Sequence, residues 1–479
     1  LPSGARGGAP APPTSPDLRP EAAARLGRAA RRGSFGPVAA PRAPGGWRTR
    51  GPLVPGRRRA FDLAEGRPMS APAARAASEM AGMALGAVAL CFAMNMLARG
   101  LGESFALFLL PVTEDLGWSR SAFSSVYAVY MTANGLSAPF AGALFDRHGA
   151  RWVYMPALAL FGLGLLIASE MTAVWQAMLG PGLMVGMGVA GTGMAVGAGL
   201  ISRWFRGQVT LAMALAYAGL SVGMITVAPL VQALIEAEGW RTAYRWMGIG
   251  LLSVVPVLAL ALPWRRLSDG RPGWEAPRRS PSLLMPRSVL FEPAFHGVFW
   301  SFFLTSVATW GVMLQTVAYL VEIGVAPLAA ATTYGAVGAL SVVGMVGTGW
   351  LADRHGRRPI VTLSYALSIA GVAILWNLPQ DPPVWALGGF VLVFGITMGA
   401  RGPVFSSLTA RLWPERVGAV YGAITLGFGL GSAAGGFLSG LLHDLTGGYA
   451  AVFTLSIAAA ALAVTPFWAL RPLATGRRD

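Results

Sequence analysis

Three ionisable side chains interrupt stretches that are otherwise apolar: Arg99 and Glu103, one helical turn apart, and Arg401 far along the chain. An ion in hydrocarbon is costly enough that such residues turn toward a bundle interior or a water-filled cavity. A guanidinium held there can grip a carboxylate through two parallel hydrogen bonds, so two of them near a membrane midplane suit an anionic solute. Glu103 can pair with Arg99 while the site is empty and give way to a substrate carboxylate. Burial and the adjacent arginine pull its protonation in opposite senses, which makes the same carboxyl a candidate proton carrier. Asn95, Tyr130 and Gln315 are further polar contacts for such a solute.

Each of these residues also has a plainer reading. Arg99 and Glu103 can brace a broken helix as a fixed pair. Arg401, followed by Gly402 and Pro403, can bond carbonyls freed at a kink. Polar residues in membrane helices often only join a neighbouring helix, and Trp310 packs more readily than it stacks on a ligand. No nucleophile–base–acid set and no phosphate-binding loop accompanies them, so neither an enzyme nor a cofactor is expected. One cysteine, Cys91, and four scattered histidines offer neither a disulfide nor a metal-ligand spacing.

Only helices spanning a membrane can hold such residues in place. The chain has 479 residues, 54% hydrophobic and 12% charged, which is no ordinary soluble composition. From Met80 onward twelve apolar segments are each long enough to cross a hydrocarbon core of about 30 Å. Their limits are 81–112, 121–145, 152–169, 174–201, 208–235, 241–263, 297–321, 327–352, 359–378, 384–410, 416–441 and 449–470. None alternates as a barrel strand would, so an all-α membrane protein is expected. The first segment is too long for one straight crossing and should tilt or break near Gly100 and Gly102.

Two segment junctions repeat. GALFDRHGARWV, from Gly142, recurs 207 residues later as GWLADRHGRRPI, from Gly349. The matched residues are Asp146, Arg147, Gly149 and Arg151, then Asp353, Arg354, Gly356, Arg357 and Arg358. A glycine permits the tight reversal between antiparallel helices, and the charges sit at a membrane surface as a conformational latch. The stretch from Arg203 also aligns with that from Arg411 at an offset of 208, which places Gly219 on Gly427 and Gly223 on Gly431. Small residues spaced by four read as close-packing faces.

The duplicated junction resembles the loop signature of the major facilitator superfamily. The resemblance covers roughly residues 80 to 472 and implies two six-helix halves around a central site reached alternately from each side. In that fold helices 1, 4, 7 and 10 line the cavity, so Arg99 and Arg401 would share one chamber. The run from Gly102, with Ser104-Phe105, Pro111, Glu114 and Gly117 to Arg120, is similar to bacterial monocarboxylate-transporter-like and oxalate/formate-antiporter-like members. Those move small carboxylates, commonly with protons. Ala228-Pro229 stands where antiporters of the superfamily carry a Gly-Pro pair, and the chain has no Lys at all.

Charge fixes the expected topology. The formal +16 does not point to nucleic acid, because residues 1–79 account for +9 of it and the rest clusters in alternate loops. One set of loops is arginine-rich. The opposite set carries Glu114, Asp115, Glu170, Glu236, Glu238, Glu322, Asp381 and Asp444. Arginine excess marks the cytoplasmic side, so both termini are expected inside a bacterial inner membrane. The expected domains are a disordered tail over 1–79, halves over 80–264 and 297–472, a cytoplasmic loop over 265–296 and a cytoplasmic tail over 473–479. Residues 1–79 read as an upstream extension, with translation starting near Met69 or Met80, or else as a basic tail on anionic headgroups. The expected function is alternating-access transport of a mono- or dicarboxylate by a monomer, coupled to protons or to exchange. Drug or metabolite efflux and a transporter-like solute sensor are the alternatives.

Overall fold

The computed structural model describes residues 71–205, 209–272, 287–413 and 417–475. These are all helices, turns and connections, with no strand among the described residues. Ten helices are long and apolar enough to cross a membrane. One of them, Val209–Ala261, holds two crossings, because Gly239 leaves helical geometry at φ 81° and turns the chain. Trp246 Nε1 then reaches back to Glu238 at 3.1 Å, a contact that a straight helix could not make. Arg120–His148 is a further crossing, more polar than the others. The total is the expected twelve.

In chain order, span 1 is Ala71–Glu103, a 3-10 turn Ser104–Phe108 and Leu109–Leu116. Residues 71–79, expected to be disordered, are helical here: their alanines are strong helix formers and lead directly into the apolar run. The break in span 1 falls just after the expected glycines. Gly100 and Gly102 remain helical and serve close approach instead, since a Cβ would meet Val227 at 2.6 Å and the Tyr130 hydroxyl at 2.7 Å respectively. Spans 2 and 3 are Arg120–His148 and Arg151–Ser169. Span 4 runs in pieces from Val174 to Trp204. Spans 5 and 6 lie on either side of Gly239, and a short helix, Trp264–Asp269, follows on the arginine-rich face.

Span 7 is Pro293–Glu322, span 8 Pro327–His355 and span 9 Arg357–Trp376. Span 10 is interrupted, Val384–Met398 and then Gly402–Leu412. Spans 11 and 12 are Val417–Thr446 and Ala450–Ala469, with a terminal turn of helix at Arg471–Thr475.

Packing repeats between the halves. Span 5 lies on span 1 as span 11 lies on span 7. Gly219 and Gly223 face the carbonyls of Phe92 and Met96, and a Cβ on Gly223 would stand 3.0 Å from the Gly100 amide. Gly427 faces the Phe299 ring, and a Cβ on Gly431 would stand 3.0 Å from Ser306 Cβ. Across the halves, span 2 packs on span 11 and span 5 on span 8.

Both junction glycines adopt left-handed backbone, Gly149 at φ 83° and Gly356 at φ 89°, which any other L-residue would resist. A Cβ on Gly142 would meet nothing within 4 Å, and one on Gly349 would meet Pro403 at 3.6 Å. Around the first junction, Arg203 donates to Ser268 O at 2.6 Å and lies 4.1 Å over the Phe145 ring, while Trp204 Nε1 donates to Leu267 O at 2.9 Å. The short helix is thereby clamped against spans 2 and 4, with the Asp146 carboxylate attracting Arg203. At the second junction Arg358 donates to Phe467 O and Trp468 O, Arg357 is buried, and Arg354 lies over the Trp350 ring. Only the backbone of Asp353 falls within the description.

Candidate functional site

The 3-10 turn after Glu103 interrupts the helical hydrogen-bond ladder of span 1 and frees carbonyls there. Tyr334, from span 8 in the other half, donates its hydroxyl to Glu103 O at 2.9 Å. One turn earlier, Arg99 Nη1 donates to Glu103 Oε1 at 2.9 Å. The Arg99 side chain is 32% exposed and that of Glu103 4%. The guanidinium lies 5.1 Å from the centroid of Trp310, from span 7. Trp310, read from sequence as packing, therefore contacts a partly open cation of the bundle interior.

Span 2 adds two aromatic side chains three residues apart and hence on one helical face. The rings of Tyr127 and Tyr130 are 5.7 Å apart, and Tyr127 is 6.3 Å from Trp310. Glu103 Oε2, Tyr127 Oη and Tyr130 Oη are all buried without a hydrogen-bond partner. Buried polar groups are rarely left so, and each lost hydrogen bond costs on the order of 1 kcal/mol or more. A guanidinium together with two hydroxyl donors offers three groups to a carboxylate arriving at Arg99.

The other expected site residues lie elsewhere. Asn95 donates to Cys91 O at 2.9 Å and Ala216 O at 3.2 Å, joining spans 1 and 5. Gln315 is fully buried, donates to Ser439 at 3.3 Å and accepts from Arg120 at 3.4 Å. Arg401 lies against spans 9 and 10. It is 3% exposed, stacks 4.3 Å over Tyr365 and donates to Ser368 Oγ at 2.7 Å and Thr397 O at 3.1 Å. Thr397 O lies at the interruption before Gly402 and Pro403, where it also accepts from the Ala400 amide at 3.3 Å, and Arg401 adds a bond there.

Sequence reasoning missed the residues that close the acid-rich face. Arg120, at the start of span 2, bonds Glu322 and Tyr449 of the second half. The amides of Arg120 and Ser121 donate to Asp444 at 3.1 and 2.7 Å. Tyr449 also donates to Glu322 at 3.1 Å. Arg120 was visible as the end of the Gly-Trp-Ser-Arg run, but its partners lie 202 and 329 residues away, and no local spacing links them. Tyr127 and Tyr334 left no sequence signal beyond falling in apolar spans.

Twelve crossings in two repeats, with a partly open cation between them and a seal on one face, define a multi-pass membrane transporter. A model of the Major Facilitator Superfamily matches residues 83–400 and 342–478. The chain belongs to that superfamily. It is 30% identical to human monocarboxylate transporter 11 over 77% of this chain and 79% of that one. It is 27% identical to the 4-hydroxybenzoate transporter PcaK of Pseudomonas aeruginosa, over 78% and 90%. Among solved structures it superposes on the nucleoside transporter NupG with a TM-score of 0.68 and 14% identity, covering 80% of this chain and all of that one.

Proposed function

We propose that the protein carries a small organic anion, most simply a monocarboxylate, by alternating access, with Arg99 as the group that binds it. The observation that carries this reading is the incompletely satisfied cluster at the break of span 1: a third of the Arg99 side chain open, with Glu103 Oε2 and two tyrosine hydroxyls unpaired beside it. A solute carboxylate would take the guanidinium from Glu103 and accept hydrogen bonds from the hydroxyls. Glu103, released, would bind a proton more readily, which couples occupancy to proton movement. Two relatives whose names specify carboxylates, a monocarboxylate transporter and a 4-hydroxybenzoate transporter, support the substrate class.

The seal at Arg120 closes the acid-rich face, so Arg99 opens toward the arginine-rich face, which the loop charges assign to the cytoplasm. The two junctions around Gly149 and Gly356 act as the latch of that inner face. Arg401 braces the break in span 10. The test is uptake of labelled mono- and dicarboxylates into proteoliposomes, with and without an imposed pH gradient. Saturable uptake of at least one acid is expected, abolished in Arg99→Ala. Normal uptake by that variant would remove Arg99 from the site and the anion with it.

A further inference from the structure

We propose that a hollow on the arginine-rich face, between spans 3 and 6, is the seat of an anionic phospholipid headgroup. A cavity of about 320 Å³ there is lined by Arg151, Ala259, Leu262, Trp264, Arg265 and Arg266, with Pro263 at the bend. The three guanidiniums are exposed, and none has a hydrogen bond or ion pair among the described residues. Trp264 forms the wall: its Nε1 donates to Leu258 O at 2.9 Å and its ring stands 6.5 Å from Tyr154 of span 3. Ala259 and Leu262 are apolar, and Leu260 beside them is 86% exposed. Cations at the rim and hydrocarbon behind are the arrangement a phosphodiester with acyl chains fits. A soluble phosphate has no use for the apolar part.

The second half offers a comparison at one position. Arg358, which stands 207 positions after Arg151 in the duplicated junction, is bonded: it donates to Phe467 O at 2.9 Å and to Trp468 O at 3.2 Å, and its guanidinium lies 5.2 Å from the Trp468 centroid. Arg151, its counterpart, has no such bond among the described residues and is left to meet an anion from outside the chain.

The experiment is native mass spectrometry of the full chain in detergent, titrated with phosphatidylglycerol, phosphatidylcholine or soluble glycerol phosphate. The wild type is expected to retain phosphatidylglycerol in preference to the other two. Arg265→Gln with Arg266→Gln should weaken that binding about thirty-fold, the loss of two guanidinium contacts at a membrane surface. Ala259→Phe, which keeps every charge but places a ring in the hollow, should abolish it. Wild-type retention by either variant, or equal binding of glycerol phosphate, overturns the proposal. Because Arg265 and Arg266 are exposed and have no bond among the described residues, the double variant tests it even if Ala259→Phe fails to fold.

Discussion

At Arg99 the protein holds a cation in a low-dielectric interior with a single carboxylate partner. That arrangement is costly unless further groups complete it. The unpaired hydroxyls of Tyr127 and Tyr130 are suited to do so when a solute arrives. Tyr127→Phe and Tyr130→Phe should each raise KM about three- to ten-fold with little change in kcat, the size of one lost hydrogen bond. Initial rates of uptake over a range of substrate concentrations check this. Glu103→Gln should leave exchange of internal for external substrate intact but remove the stimulation by a pH gradient, measured in the same vesicles. Arg401 should behave otherwise. Arg401→Leu removes a cation held only by neutral partners, so its effect should appear in thermal stability, with KM unchanged in the folded fraction.

Helix interfaces set the positions of these side chains. The carbonyls of Phe92 and Met96 on span 1 approach Gly219 and Gly223, and those of span 7 approach Gly431. Gly223→Ala and Gly431→Ala should each destabilise the bundle by about 1–3 kcal/mol, the usual cost of overpacking, read as a lowered midpoint in thermal unfolding in detergent. Much of this was legible in advance, because a glycine recurring at four-residue spacing in both repeats needs only the offset to be recognised. The break in span 1 was harder to place. Gly100 and Gly102 invited it, yet both are consumed by packing against Val227 and Tyr130, contacts between residues far apart in sequence. Likewise, the lowered carboxyl pKa of Glu170 comes from a hydrogen bond with Arg245, 75 residues on. That pair is therefore formed at neutral pH and lost as pH falls through the lowered value.

For the molecule as a whole, repeat and superfamily could be read from the two DRHG junctions, whereas the contacts of Arg120 could not. Arg120 and Asp444 each become meaningful only when the halves meet. Arg120→Ala should release the acid-rich face. In a Cys91→Ser background, which removes the lone thiol, a cysteine replacing Ser439 should label with an impermeant maleimide from that side faster than in the parent.

The hydrogen bond from Tyr334 to the main chain of Glu103 ties the acid that faces Arg99 to a helix of the opposite half. When the halves part on that side, the residue whose carboxyl holds the guanidinium loses its anchor in the same movement. In the proposed cycle, filling the site and releasing the door would be events at one residue, with no relay needed between them.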